Sequence, residues 1–315
     1  MARTGLQVKH GVIGMVPRID AEKLAAGDAA TLAALRHGAT EVGFLTLANT
    51  ALTQARVRDV LAAYGAFFHL PVADKRRVDM AATGSNRGWG AGGSEQVDPA
   101  ANPDYKEVFD CGVALPPDDP QASLSVYAPN LWPARPSGFQ ALIEGYFTDA
   151  RQVALQTLTG IARAIGRDPG HFVDQFARPM ALLRGNFYPA RPAWAGGRDF
   201  GIAAHTDYGC LTLLATDGQA GLEVQLRDGS WQGVQAAPGT FIINFGEMLE
   251  IWSGGVIRAT PHRVVGGTAE RLSVPLFFNP SHDTNVAPEG APQLRAGDHL
   301  SARYTETYRH LQGKA

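Results

Sequence analysis

A chain of 315 residues that is 45% hydrophobic and 18% charged has the composition of an ordinary globular protein, one large domain or two small ones, and excludes a disordered or fibrous one. A formal charge of −2 without a long lysine or arginine run excludes a phosphate-tracking surface, so no nucleic-acid partner is expected. Two cysteines, Cys111 and Cys210, exclude a disulfide framework and suit a reducing compartment, which makes the cytoplasm the expected location.

The N-terminal stretch Met1 to Asp20 carries basic residues, but its short apolar run is broken by Gly11, Gly14 and Pro17, unlike a signal-peptide core. No later segment approaches the roughly 20 apolar residues that cross a bilayer, so no membrane partner is expected. Asp28 to His37 and Leu52 to Phe68 have helical periodicity, with Gly43 to Leu47 as an apolar strand between them. Lys106 to Val113 reads as another short strand, and Pro129, Pro133 and Pro136 mark a topological boundary. Beyond it, Ser137 to Ile165 places Phe139, Leu142, Tyr146, Ala150, Val153 and Leu158 at helical spacing, predicting one long helix or two meeting at a kink at Gly145. From Met180 the pattern changes to short apolar runs cut by Gly, Pro and Asp: Leu182 to Tyr188, Leu211 to Thr216, Leu222 to Leu226, Thr240 to Phe245 and Arg271 to Phe278. Such runs predict a β-sandwich or jelly roll. Ala296 to Leu311 reads as helix again.

His205-Thr206-Asp207 puts an imidazole and a carboxylate two residues apart, and along a strand such positions share a face. Nine histidines and 30 acidic residues in 315 positions produce about 0.9 His-x-acid pairs by chance, so the pair alone reads as a surface turn. Pro261-His262-Arg263-Val264 follows 57 residues after His205, at the start of a later apolar strand in the same β-rich half. Two imidazoles and one carboxylate on a β-scaffold are the donors of the facial triad at Fe(II), which leaves positions open for substrate and O₂. Zinc accepts the same three donors. The remaining histidines, His282 and His299 among them, lack such company and read as solvated or structural.

Nine residues after His262, Arg271-Leu272-Ser273 forms a second same-face pair. The planar guanidinium fork matches a carboxylate, and the hydroxyl adds a further hydrogen bond. Alone, Arg271 reads as half of a surface ion pair; beside a metal triad it reads as the receiver of a buried acid. Upstream, Asn186-Phe187-Tyr188-Pro189 sets an amide and a phenol on one strand face, from which Tyr188 could reach the same carboxylate. Without that context the segment is an apolar strand ending at a proline.

These segments together resemble the isopenicillin N synthase-like branch of the iron(II)/2-oxoglutarate-dependent dioxygenases, over nearly the whole chain. In the second half the resemblance runs through Asn186-Phe187-Tyr188-Pro189, His205-Thr206-Asp207-Tyr208-Gly209, Gly246-Glu247-Met248-Leu249-Glu250, Pro261-His262-Arg263-Val264 and Arg271-Leu272-Ser273-Val274-Pro275. In the first half it runs through Val16-Pro17-Arg18-Ile19-Asp20, Gly43-Phe44, Phe67 to Pro71 with Lys75 following, Arg87-Gly88-Trp89 and Lys106-Glu107-Val108-Phe109. The resemblance implies an α+β fold with a mainly β core: a double-stranded β-helix, or distorted jelly roll, with helices packed against one sheet. It divides the chain into an N-terminal region of helices and short strands, residues 1–130, and residues 131–315 with the long helix, the jelly-roll core and a C-terminal helix. It also implies iron ligands at His205, Asp207 and His262, and 2-oxoglutarate held by Tyr188, Arg271 and Ser273 with Asn186 beside them. Two positions depart from the family: Asn49-Thr50-Ala51 where relatives have Asn-His-Gly, and Glu247 where Asp is common.

The implied reaction takes O₂ and 2-oxoglutarate, releases succinate and CO₂, and oxidises a C–H bond of a small molecule, with hydroxylation as the default outcome. Iron and co-substrate carry the difficult chemistry while the protein ligates, orients and keeps the pocket dry. Two alternatives use the same residues: an iron oxidase of the same fold that takes every electron from its substrate, and a metal-binding barrel without catalysis. On the substrate side, Phe277 and Asn279 share the face of Ser273 if the strand keeps its alternation, although Pro275 stands where a bulge would reset the phase. Trp89, Phe187 and Met248 are further candidates whose ordinary role is packing, and Ala190 to Phe200, with Pro192, Gly196 and Gly197, has a lid-like composition. Oligomeric state is left open.

Overall fold

The computed structural model describes residues 16–307 except residues 97, 99, 192, 194, 197 and 198. Asp20, Asp28 and Thr53 each turn a side-chain oxygen onto free backbone N–H groups of the helix that follows, namely α1 (Ala21–Ala25), α2 (Ala29–His37) and α3 (Gln54–Phe68). A single turn, α4 (Val72–Lys75), precedes α5 (Phe139–Ala164). α5 is continuous through Gly145, where the missing side chain leaves room for the Arg56 guanidinium: an added Cβ would lie 2.5 Å from its Nη2. Phe139, Ile143, Tyr146, Ala150, Val153 and Thr157 recur every three or four positions and give α5 one buried stripe. Burying each large apolar side chain of that stripe stabilises by roughly 1.5–3 kcal/mol, which is what holds the helix on the sheet. Two further helices, α6 (Glu247–Trp252) and α7 (Ala296–Thr307), lie in the second half; residues 308–311 of the predicted tail helix fall outside the described residues.

The strands are β1 (Arg18–Asp20), β2 (Phe44–Ala48), β3 (Gly88–Gly90), β4 (Glu107–Gly112), β5 (Leu182–Tyr188), β6 (Ile202–His205), β7 (Leu211–Thr216), β8 (Leu222–Gln225), β9 (Trp231–Gly233), β10 (Phe241–Phe245), β11 (His262–Val264) and β12 (Arg271–Phe278). Eight form a large sheet in the order β1-β2-β10-β7-β12-β5-β4-β3, and four form a small one in the order β6-β11-β8-β9. Strands from before and after residue 130 thus share the large sheet.

The large sheet is covered on both sides, so its strands read as unbroken apolar runs. Their two-residue period nevertheless sorts the side chains. Phe109, Leu183, Leu213, Ile243, Val274 and Leu276 join α3 and α5 in the main core. Phe44, Leu214 and Ile242 face Leu222, Val224 and Val264 of the small sheet. The same inward-facing positions carry the polar residues of the strands: Asn186 and Tyr188 on β5, Thr212 on β7, Asn244 on β10, Arg271 and Ser273 on β12. α3 sits so close to the sheet that a Cβ on Gly185 would lie 2.2 Å from the Tyr64 ring.

Pro275 does not reset the phase of β12. It sits opposite Leu214 of β7 in a register that is constant from Ser273 to Phe278. The ladder to β5 skips Val274 and Pro275, where the proline has no N–H to give, and resumes in the same register at Leu276.

Candidate active site

His205 closes β6 and His262 lies in β11; the two strands pair antiparallel with these residues directly opposite, which brings the ring centroids to 4.4 Å. Asp207 lies past the end of β6, so strand alternation does not position it, contrary to the expectation from spacing. The turn that follows does. The Asp207 carbonyl accepts the Glu247 N–H at 2.8 Å at the start of α6, an approach that Gly246 permits because a Cβ there would stand 2.6 Å from that oxygen. Asp207 Oδ1 ends 3.7 Å from His205 Nε2 and 3.6 Å from His262 Nε2, and the three ligand atoms all lie within 4.8 Å of one another.

The surroundings prepare these atoms for a cation. His205 Nδ1 lies 2.8 Å from the Ala203 carbonyl and His262 Nδ1 3.1 Å from the Thr260 carbonyl, which assigns the proton to Nδ1 and leaves the Nε2 lone pairs free. Asp207 Oδ2 accepts from Asn244 Nδ2 at 2.6 Å and from the Thr212 hydroxyl, leaving Oδ1 toward the histidines. Burial, reinforced by His262, pushes the His205 ring down to about 4, so it is neutral near pH 7 and able to ligate. Burial opposes ionisation of Asp207, but the imidazoles of His262 and His205 and the hydrogen bonds from Thr212 and Asn244 outweigh it and hold the carboxyl below its usual range. Two imidazole nitrogens and one carboxylate oxygen fit a facial triad for Fe(II).

Two cavities meet at this triad, and both are lined by Asn186, His205, Asp207 and Phe277. The inner one, between the sheets, contains the predicted carboxylate receiver. Arg271 stands opposite Tyr188 and Ser273 opposite Asn186 in the β5-β12 pair. The Arg271 guanidinium lies over the Tyr188 ring at 5.0 Å from its centroid, and Asn186 Nδ2 reaches Ser273 Oγ at 3.4 Å. Among the described residues Arg271 makes no ion pair, and its buried Nε and Nη1, like Asn186 Oδ1, have no hydrogen-bond partner. A guanidinium buried without a counter-charge costs several kcal/mol, so the cavity is one that an anion would suit.

The outer cavity is lined by Glu95, Lys106, Arg184, Tyr208, Phe277 and Tyr304, with Leu300 of α7 alongside. Phe277 lines it as predicted. Asn279 lines it too, but its amide is engaged, accepting from the Cys210 N–H at 2.8 Å and donating to the Met180 carbonyl at 3.0 Å. Trp89, Phe187 and Met248 line neither cavity. Trp89 donates to Glu107, Phe187 stacks on Phe68, and Met248 is in the main core. In Ala190 to Phe200, Arg191 Nη1 donates to the Asp199 carbonyl at 2.7 Å and the Gly196 N–H to Asp199 Oδ2 at 2.8 Å; residues 192, 194, 197 and 198 of that predicted lid lie outside the described residues. His299 Nε2 meets the Tyr208 carbonyl at 2.9 Å, a structural role.

Sequence reasoning missed Thr212 and Asn244, which hold Asp207, and the charged wall of Glu95, Lys106 and Arg184. Arg184 had left a signal: a charge inside the apolar run Leu182 to Tyr188 must find buried partners.

Residues 16–135 match the family profile described as non-haem dioxygenase in morphine synthesis N-terminal, and residues 179–280 match the 2OG-Fe(II) oxygenase superfamily. A homoarginine-6-hydroxylase of Glycine max is 32% identical over 288 residues, covering 89% of this chain and 86% of its own. A 2-oxoglutarate-dependent dioxygenase of Penicillium crustosum is 33% identical over 257 residues, covering 78% and 76%. A Neurospora crassa protein solved in complex with alpha-KG and thymine superposes with a TM-score of 0.81 at 28% identity, covering 92% of this chain and 96% of that one. The double-stranded β-helix, the His-Asp-His cluster between its sheets and these likenesses agree, and the chain belongs to the isopenicillin N synthase-like family of iron(II)/2-oxoglutarate-dependent dioxygenases.

Proposed function

We propose that His205, Asp207 and His262 bind the iron, and that Arg271, Ser273, Tyr188 and Asn186 hold 2-oxoglutarate in the inner cavity. The observation that carries this reading is the buried, unpaired guanidinium of Arg271 in a cavity that also contains the three metal donors. When bound, iron and 2-oxoglutarate together activate O₂, and oxidative decarboxylation to succinate and CO₂ supplies the oxidising equivalent that hydroxylates a substrate C–H bond. Arg271 takes the distal carboxylate through its planar fork, Ser273 donates its hydroxyl to the same group, and the Tyr188 ring backs the guanidinium. Asn244 and Thr212 fix the Asp207 carboxylate so that one oxygen faces the cation. The outer cavity is left for the small-molecule substrate.

In the same reading residues 1–130 form the region that packs on the barrel and 131–315 the catalytic core, a division supported by the two profile matches. No described helix is long and apolar enough to cross a membrane. We place the protein in the cytoplasm, without a nucleic-acid partner, because it has two buried free cysteines and no basic tract.

The test is anaerobic addition of 2-oxoglutarate to the Fe(II) protein, followed by O₂. A weak visible charge-transfer band is expected, then its loss with stoichiometric succinate. His262→Ala abolishes both and lowers Co(II) affinity in a direct metal titration. Iron binding without any band or succinate would assign the protein to the substrate-only oxidases and Arg271 to a substrate carboxylate.

A further inference from the structure

We infer that Glu95 anchors the primary substrate by accepting an N–H from a flat polar group, a guanidine or a cyclic amide or urea. The inference rests on the reading of the inner cavity as the 2-oxoglutarate site, which leaves the outer one for substrate.

Glu95, Lys106 and Arg184 line the outer cavity, and each is 4% exposed. Their pairing is unequal. Arg184 forks onto Asp110, with Nε 2.8 Å from Oδ1 and Nη2 2.6 Å from Oδ2, and sends Nη1 to Glu95 Oε2 at 3.0 Å. Lys106 Nζ lies 2.8 Å from the same Glu95 Oε2 and 2.8 Å from Asp104 Oδ2. Glu95 Oε2 therefore has two donors. Among the described residues Glu95 Oε1 accepts no hydrogen bond: it lies at ion-pair distance, 2.8 Å, from Arg184 Nη1, whose hydrogen bond goes to Oε2. A buried acceptor left in that state is costly unless a ligand satisfies it.

Charge decides which ligand. The cluster sets the carboxylates of Glu95, Asp104 and Asp110 against the cations of Lys106 and Arg184, an excess of one negative charge. Burial opposes ionisation of Glu95, but Arg184 and Lys106 outweigh it and hold the carboxyl down to about 2, so it is an acceptor at neutral pH. A substrate carboxylate would meet this excess charge with both cations already engaged, whereas an N–H donor completes the set. Tyr208, Phe277 and Tyr304 supply aromatic walls suited to a planar group. The cavity continues to His205 and Asp207, so a molecule held at Glu95 extends toward the metal end.

A site built around one buried acceptor discriminates sharply against analogues that lack the donor. The experiment measures succinate formation by the iron-loaded full chain with 2-oxoglutarate, in the presence of alkylguanidines, pyrimidine-type cyclic imides and hydantoins, their N-methylated counterparts, and matched carboxylates and hydrocarbons. Stimulation by N–H compounds, reduced tenfold or more when the donor nitrogen is methylated, is expected. The guanidine and cyclic-amide arms separate the two sources of the donor. In Glu95→Gln the apparent affinity of the stimulating compound falls about 10- to 150-fold, the range for a hydrogen bond to a charged group. The N-methyl comparison uses the unaltered protein, so a variant that does not fold leaves the result decisive. Equal response to methylated compounds, stimulation by carboxylates or hydrocarbons instead, or no response to any N–H compound overturns the inference. Failure of 2-oxoglutarate to bind or turn over without any added compound overturns the proposed function, and this inference with it.

Discussion

Two arginines on neighbouring strands of the same barrel, Arg184 on β5 and Arg271 on β12, are almost equally buried, at 4% and 5% exposure, and have opposite surroundings. Arg184 is saturated, forked onto Asp110 and tied to Glu95. Arg271 lies over an aromatic ring and, among the described residues, has two nitrogens without a hydrogen-bond partner. The first arrangement is complete in the polypeptide alone and holds the wall of the outer cavity. The second leaves donors over, and the proposed 2-oxoglutarate site rests on them. Burial by itself therefore does not distinguish a structural cation from a binding one; the state of its hydrogen-bond donors does.

The largest effect expected from breaking this contrast is in Asp110→Ala. Removing Asp110 takes away the carboxylate onto which Nε and Nη2 of buried Arg184 fork, and breaking a buried pair in this way costs about 3–5 kcal/mol, read as a lowered urea midpoint of the metal-free protein. An Asp110→Ala protein with the parental midpoint would show that Arg184 does not depend on that pair.

The next effect is in pH. Glu95 is held down to about 2 in the folded protein against an ordinary value of 4.5, so the unfolded chain binds the extra proton between these values. Its stabilisation is fully present above about pH 4.5 and is lost as pH falls toward 2, a total on the order of 3 kcal/mol. Asp104 and Asp110, pushed up by burial and further by the Glu95 charge, act in the opposite sense and offset part of this difference. The stability difference between the parent and Glu95→Gln should therefore narrow on acidification below pH 4.5; a gap independent of pH would contradict it.

Arg271→Leu sharpens the contrast from the other side. With no pair to break, the metal-free protein keeps or raises its urea midpoint, while 2-oxoglutarate affinity falls about 10- to 150-fold, equivalent to roughly 1.5–3 kcal/mol. Arg271→Lys recovers only part of it for want of the fork. Isothermal titration with 2-oxoglutarate and iron checks both.

A third arginine, Arg303 of α7, is paired but about a third exposed, and sets the small end of the scale. It donates to Glu247 Oε1 at 2.9 Å, and the same oxygen accepts the hydroxyl of Thr206, which stands between His205 and Asp207. Arg303→Met should cost less than about 1 kcal/mol in stability, as solvent-screened pairs do, with a severalfold change at most in Co(II) affinity. A loss comparable to that of Asp110→Ala would place α7 among the essential supports of the metal turn.

Glu247 illustrates how far the sequence could be read. Its departure from the aspartate common in relatives was visible, but the partners that its longer side chain reaches, Thr206 and Arg303, come from a turn and a helix 41 and 56 residues away. Long elements were legible for the opposite reason. Leu182 to Tyr188, Leu211 to Thr216 and Arg271 to Phe278 are strands with the predicted bounds, and α2 and α3 begin at side-chain caps close to the predicted starts, because period and caps are local properties. β1, β3 and β9, of three residues each, are too short to carry a period and exist through their neighbours.

The sequence by itself determined which chemical groups are available and on which strand face each one lies: the histidines of β6 and β11, Arg271 with Ser273, and Asn186 with Tyr188. Spacing and alternation suffice for that, since successive side chains on a strand point to opposite sides. Only the tertiary structure decided how those groups are used. Asp207 reaches the histidines through a turn rather than through alternation, and Arg184 rather than Arg271 acquires Asp110, because β4 pairs with β5 in the register that sets Asp110 opposite Arg184. Register between strands distant in the chain is settled by the packing of the whole barrel, and it is register that leaves one buried guanidinium satisfied and the other open to a ligand.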